Sequence, residues 1–189
     1  MDHQAVEQLL QPKKILPVVN FLATPELIPV EPGIYGWWFK TIPPQVPSVG
    51  CLQVDGWTLL YLGISPARNN PTSRQNLRKR LRDHMLGRAN SSTLRLSLGC
   101  LLSEQLNLKL ATYGPSKYVA FGAGEKRLSQ WLEANAGLSW LVHPQPWLIK
   151  PELLQQYALP LNINGNDHPF VTMLKRLREQ AILQADLHH

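Results

Sequence analysis

Apolar residues along the chain fall into short β-type runs and longer helical ones. Residues 4–11 read as a short helix that stops before Pro12. "GIYGWWF" (33–39), rich in β-branched and aromatic residues, predicts a strand. Pro43, Pro44 and Pro47 make 40–50 a loop. "CLQVDGWTLLYLGI" predicts a hairpin turning at Asp55-Gly56. A polar stretch runs from Ser65 to Arg74. Leu77, Leu81 and Met85 then fall at i, i+4 and i+8 of a helix over 75–86. Ser91 or Ser92 caps a second helix, to about Leu106. A third runs from Glu125 to Ala136 and stops at Gly137. "LSWLVH" is a short strand, Pro151 opens a helix through Tyr157, and a last helix spans Pro169 to about Ala185. The fold class is therefore α+β: a small, mostly antiparallel sheet of three strands plus an edge strand, flanked by helices.

Composition narrows the class. With 189 residues, 44% hydrophobic and 17% charged, the chain reads as one globular domain. No apolar run is long enough to span a bilayer, and the start is polar and acid-bearing, unlike a secretory signal. Cys51 and Cys100 form no disulfide scaffold and no CxxC pair, and the histidines lack metal-site spacing. A reducing, cytoplasmic setting is the expectation.

Charge changes the picture. The formal net charge is +6, and it is concentrated. Arg68, Arg74, Arg78, Lys79, Arg80, Arg82, Arg88 and Arg95 crowd one segment whose single acid is Asp83. Ordinary solvated helix faces mix signs; this one suits a polyanion such as nucleic acid. Arg74, Arg78 and Arg82 form an i, i+4 row that could track a phosphate backbone, with Lys79, Arg88 and Arg95 as further contacts. Arg80 and His84 form a separate i, i+4 pair.

"GIY" at 33–35 and "YLG" at 61–63, on neighbouring strands, resemble the two tripeptides that name the GIY-YIG nuclease family. "NLRKRLRDH" is similar to the family's first helix, and "PELLQQYALPLN" resembles its closing segment. The likeness covers roughly 32–170, leaving 1–31 as an N-terminal extension and 171–189 as a C-terminal helix. The insert between the tripeptides is long, and Leu62 replaces isoleucine. The resemblance implies a divalent-metal-dependent DNA endonuclease. Its site would comprise Tyr35, Tyr61, Arg80, His84, Glu152 and Asn162, with Mg2+ or Mn2+ held by Glu152. Glu133 is the rival metal ligand, but it precedes "LSWLVH", whereas the family's ligand follows the third strand.

The chemistry fits those residue types. Phenols on adjacent strands approach to about 5 Å across a ladder. A phenol, with a pKa near ~10, needs a nearby cation or metal before it becomes a useful base at neutral pH. Arg80 has the planar fork that clamps two phosphate oxygens. His84 reads equally as a surface histidine or as a proton relay for Tyr35. Asn162 reads as a structural support in a turn-rich loop. A binding module that kept the fold but lost cleavage, or an RNA nuclease, are the other readings of the same pattern.

Overall fold

A computed structural model describes residues 3–67 and 73–187; Arg68, of the basic segment, lies outside them. Its main sheet has five antiparallel strands in the order β1-β7-β2-β4-β3: β1 Leu16–Pro17, β2 Gly33–Phe39, β3 Gln53–Val54, β4 Trp57–Ser65 and β7 Ala136–Val142. β5 Ala111–Tyr113 and β6 Tyr118–Ala120 make a separate hairpin. The helices are α1 His3–Leu10, α2 Val18–Ala23, α3 Leu77–Leu86, α4 Thr93–Leu101, α5 Gly124–Asn135, α6 Pro146–Gln156 and α7 Phe170–Leu187. None is long and apolar enough to cross a membrane.

β2 lies between β4 and β7, and all seven of its residues are buried because both faces are covered. That is why its sequence is continuously apolar rather than alternating. Tyr35, Trp37 and Phe39 enter the larger core with Leu77, Leu81 and Trp131. Ile34 and Trp38 enter the other, with Leu9 and Leu10 of α1 and Ile149 and Leu153 of α6. The N-terminal residues expected as an extension are packed into the domain. α1 covers one face of the sheet, β1 pairs with β7, and Ser139 donates a hydrogen bond to the Leu9 carbonyl at 2.7 Å.

The Asp55-Gly56 turn forms as expected, both residues with positive φ (49° and 77°), but β3 is only two residues long. Other boundaries moved for local reasons. α3 begins at Leu77 because the Asn76 side chain caps it, accepting from Lys79 N at 2.9 Å. Gly137 does not stop a helix; it sits inside β7, where a Cβ would lie 2.5 Å from Ile15 Cγ2 and 3.0 Å from Trp57. α6 starts at Pro146 rather than Pro151, so Pro151 is internal to it. The β5–β6 hairpin had no expected counterpart.

Candidate active site

The site grows from one register. Tyr35 pairs with Gly63 across the β2–β4 ladder, and Trp37 pairs with Tyr61. Tyr35 and Tyr61 are therefore diagonal neighbours on one face, not the directly opposed pair expected. A register shift just beyond Trp37 leaves Leu60 as the extra residue of β4, and both Leu60 and Tyr61 enter the larger core. Gly63 makes room for the Tyr35 ring: a Cβ there would overlap the ring and its hydroxyl.

α3 presents His84 to this face, fully buried. Its Nε2 lies 2.6 Å from the Tyr35 hydroxyl and its Nδ1 2.6 Å from Ser92 Oγ. The Tyr35, Trp37 and Tyr61 rings surround the imidazole, with centroids 5.6, 5.9 and 6.2 Å away. Ser92 caps α4, accepting from Arg95 N at 3.0 Å. The result is a continuous chain, Tyr35–His84–Ser92, ending on a fixed helix cap. Each hydroxyl is both donor and acceptor, so the imidazole is satisfied in either neutral tautomer.

Burial sets the protonation states. Tyr35 is held well above the ordinary phenol range, first by desolvation and then by Tyr61; Arg80 opposes this without overcoming it. Tyr61 is raised by burial as well, against a hydrogen bond from Thr93 and the charge of Arg80. His84 is pushed well below its usual value by burial and by Arg80, Arg95 and Lys150. Burial thus favours the protonated phenols and the neutral imidazole, and opposes the phenolate expected from Arg80 and a divalent ion.

Arg80 sits one turn before His84, half-exposed, with Nη1 donating to the Ser91 carbonyl at 3.0 Å. Asn162 is buried and behaves as a strand partner: Oδ1 accepts from Leu62 N at 2.8 Å, and Nδ2 donates to Leu62 O at 2.7 Å. It supports β4 beside Tyr61, as expected of a structural residue. Glu152 does not join the cluster. It is exposed, accepts from Gln156 at 3.1 Å, and lines a cavity with Val6, Glu7 and Leu10 on the α1 side. Glu133 is exposed on α5.

The basic segment divides. Arg74, Lys79, Arg82 and Arg88 are exposed, Arg88 stacking over Tyr118 at 5.6 Å. Arg74 precedes the helix, so the expected row is broken. Arg78 is tied to the Ile28 carbonyl at 2.7 Å. Arg95 is wholly buried. It pairs with Glu125 at 2.6 Å and donates to the carbonyls of His84 and Met85, which removes it from any nucleic-acid surface.

A family model, the GIY-YIG catalytic domain, matches residues 33–180, beginning on the first glycine of "GIY". The chain belongs to the GIY-YIG nuclease family. Comparisons with curated proteins and with solved structures returned no significant match. GIY-YIG membership implies a nuclease and a nucleic-acid substrate, and nucleases of this family generally depend on a divalent metal.

A divalent ion of this kind keeps several waters and takes one or two carboxylates from the protein. Among the described residues no three His, Cys, Asp or Glu side chains gather to hold one. The expected carboxylate, Glu152, lines a cavity with residues of α1. Ser92 was visible as a helix cap, but not as the end of a relay.

Proposed function

We propose that this GIY-YIG chain is a DNA endonuclease that hydrolyses phosphodiester bonds, with Tyr35 and His84 moving the proton, Ser92 fixing the imidazole and Arg80 binding the scissile phosphate. The observation that carries this reading is the buried Tyr35–His84–Ser92 hydrogen-bond chain beside Arg80. A water oxygen attacks phosphorus, and the bond from phosphorus to the ester oxygen breaks, that oxygen leaving as an alkoxide that takes a proton from solvent. As the water O–H bond breaks, its proton passes to the Tyr35 oxygen while the Tyr35 proton passes to His84 Nε2. Neither phenol needs to ionise beforehand, which suits phenols whose burial disfavours the anion. Tyr61, kept protonated, donates a hydrogen bond to a phosphate oxygen. Arg80 gathers two oxygens in its fork and offsets the charge that develops on them. The exposed Arg74, Lys79, Arg82 and Arg88 supply sequence-independent backbone contacts. Glu152 lines a cavity on the α1 side and accepts from Gln156.

The test is single-turnover cleavage of supercoiled plasmid and of end-labelled DNA and RNA. Tyr35→Phe keeps the ring over Gly63 but breaks the relay. Turnover should fall by roughly 10²-fold. Loss of the buried partner of His84 should cost about 1–3 kcal/mol of stability. Near-normal cutting by this variant overturns the relay, and cutting of RNA but not DNA overturns the substrate. A second reading, a binding module without cleavage, draws on the placement of Glu152; it is the outcome if wild type binds DNA and cuts nothing.

A further inference from the structure

Of the five tyrosines, Tyr35 and Tyr61 lie in the larger core and Tyr157 packs against the other, whereas Tyr113 and Tyr118 join neither. These two are paired across the β5–β6 hairpin, so both rings stand on one face of it. The rings stack, with centroids 5.8 Å apart and planes 24° from parallel. The Arg88 guanidinium extends the stack, 5.6 Å from the Tyr118 centroid, and its Nη1 donates to the Tyr118 hydroxyl at 3.2 Å. Tyr113 stays 36% exposed. Residues 108–120 include Lys109 and Lys117 and no acid. Aromatic rings held at the surface beside cations suit the flat face of a base and its phosphate. Hydrogen bonds join this stack to the tyrosine–histidine cluster. Ser91 N donates to the Arg88 carbonyl at 3.0 Å, so Arg88 opens the turn whose other end, Ser91, accepts from Arg80. Ser92, the next residue, holds His84. Glu125 Oε1 accepts from Ala89 N in that turn and from Phe121 N just past β6, at 2.8 and 3.1 Å. The other face of the hairpin is tied to α7, where Thr112 donates to Asp186 at 2.8 Å.

We propose that Tyr113, Tyr118 and Arg88 form a stacking platform for an unpaired base of the substrate strand, so that the preferred substrate is DNA with a single-stranded segment. The platform rests on the nuclease reading of the neighbouring site for the fate of the bound strand. In a duplex each base is stacked on its neighbours and shows only its edges in the grooves. An unpaired base has a free face to lay on Tyr113. Arg88 and Lys117 offset the phosphates on either side of it. Because the hairpin is fastened at both faces, the platform needs no ordering when the strand arrives, which spares that part of the cost of binding.

The experiment measures fluorescence-anisotropy binding of labelled DNA duplexes that carry either a short unpaired tail or the same tail without bases, with cleavage of both read in parallel in magnesium. The two tails carry equal charge, so the difference between them reports stacking. Wild type should bind the tail with bases roughly tenfold more tightly. Tyr113→Ala should erase most of that preference and Tyr113→Phe should keep it, with thermal melts checking the fold. Tyr113→Leu, which keeps apolar bulk on the hairpin, should behave as Tyr113→Ala. A fluorescent base analogue in the tail should dim on binding wild type and stay bright with Tyr113→Ala. Equal binding of the two tails by wild type overturns the platform, and cleavage of either then leaves the nuclease reading standing. A preference that survives in folded Tyr113→Ala and Tyr113→Leu also overturns the platform. A Tyr113-dependent preference with no cleavage of either duplex supports the platform and overturns the nuclease reading.

Discussion

Gly63 and Tyr35 form one unit, since the absence of a side chain at one position is what seats the ring of the other. In Gly63→Ala the new methyl would meet a ring packed in the core, with no flexible chain end to swing aside. The expected loss is about 1–3 kcal/mol, with cleavage falling further than stability because the hydroxyl leaves His84. Melting curves set beside single-turnover rates check this; a folded variant with normal rates would show that the ring has another seat. His84 carries a pH signature. It is neutral when folded, and unfolding frees an imidazole that takes a proton below about pH 6.5. Stability should therefore be complete above pH 6.5 and decline as pH falls toward the depressed folded value. The cations opposing its charge come from α3 (Arg80), α4 (Arg95) and α6 (Lys150). His168 is lowered too and adds to the slope, so the measurement is the difference between wild type and His84→Asn in denaturant titrations from pH 5 to 8. A gap that stays constant with pH would sink the assignment.

α3, α4 and α5 are fastened by one ion pair, between a buried Arg95 and a partly buried Glu125. Arg95 on α4 holds the Glu125 carboxylate of α5 and the last carbonyls of α3, at His84 and Met85. Glu125 in turn accepts from Ala89 N at 2.8 Å and Phe121 N at 3.1 Å. Every polar group of the pair thus has a partner, the condition under which a buried pair is tolerated. Glu125→Ala strands the Arg95 charge and should cost about 3–5 kcal/mol. Because Arg95 grips the carbonyl of His84 itself, cleavage should weaken even at temperatures where the variant is folded. Urea titration with activity in the folded baseline reads both effects, and a stability change under 1 kcal/mol would refute the fastening role.

Across the whole molecule, the +6 charge divides into a surface share and an internal share. Arg74 and Arg82 are exposed, whereas Arg78 ties α3 to the carbonyl of Ile28. Arg74→Ala and Arg82→Ala should each weaken DNA binding uniformly across sequences and reduce the salt slope by about one unit. Arg78→Ala should lower the melting temperature and leave that slope unchanged. Binding titrations at several salt concentrations, with melts, separate the two roles; a lower slope for Arg78→Ala would return it to the DNA-facing set.

What the sequence by itself determined was local. The strand over 33–39, the Asp55-Gly56 turn, the Ser92 cap and the two tyrosine tripeptides were legible because turn chemistry, capping and β-propensity act within a few residues. The family was legible for the same reason, since its motifs are short. The pairing of side chains was decided only by tertiary structure. The β2–β4 register made Tyr35 and Tyr61 diagonal neighbours, and the packing of α6, begun at Pro146, left Glu152 in a cavity on the α1 side. A strand register and the rotation of a helix are fixed by distant packing, here by Ile149 and Leu153 against Leu59 and Leu62. A register slip of one residue, or a helix rotated by two residues, reverses which side chain faces a site. Burial likewise decided that Arg95 is an internal fastener, a role its basic neighbours in sequence gave no reason to expect.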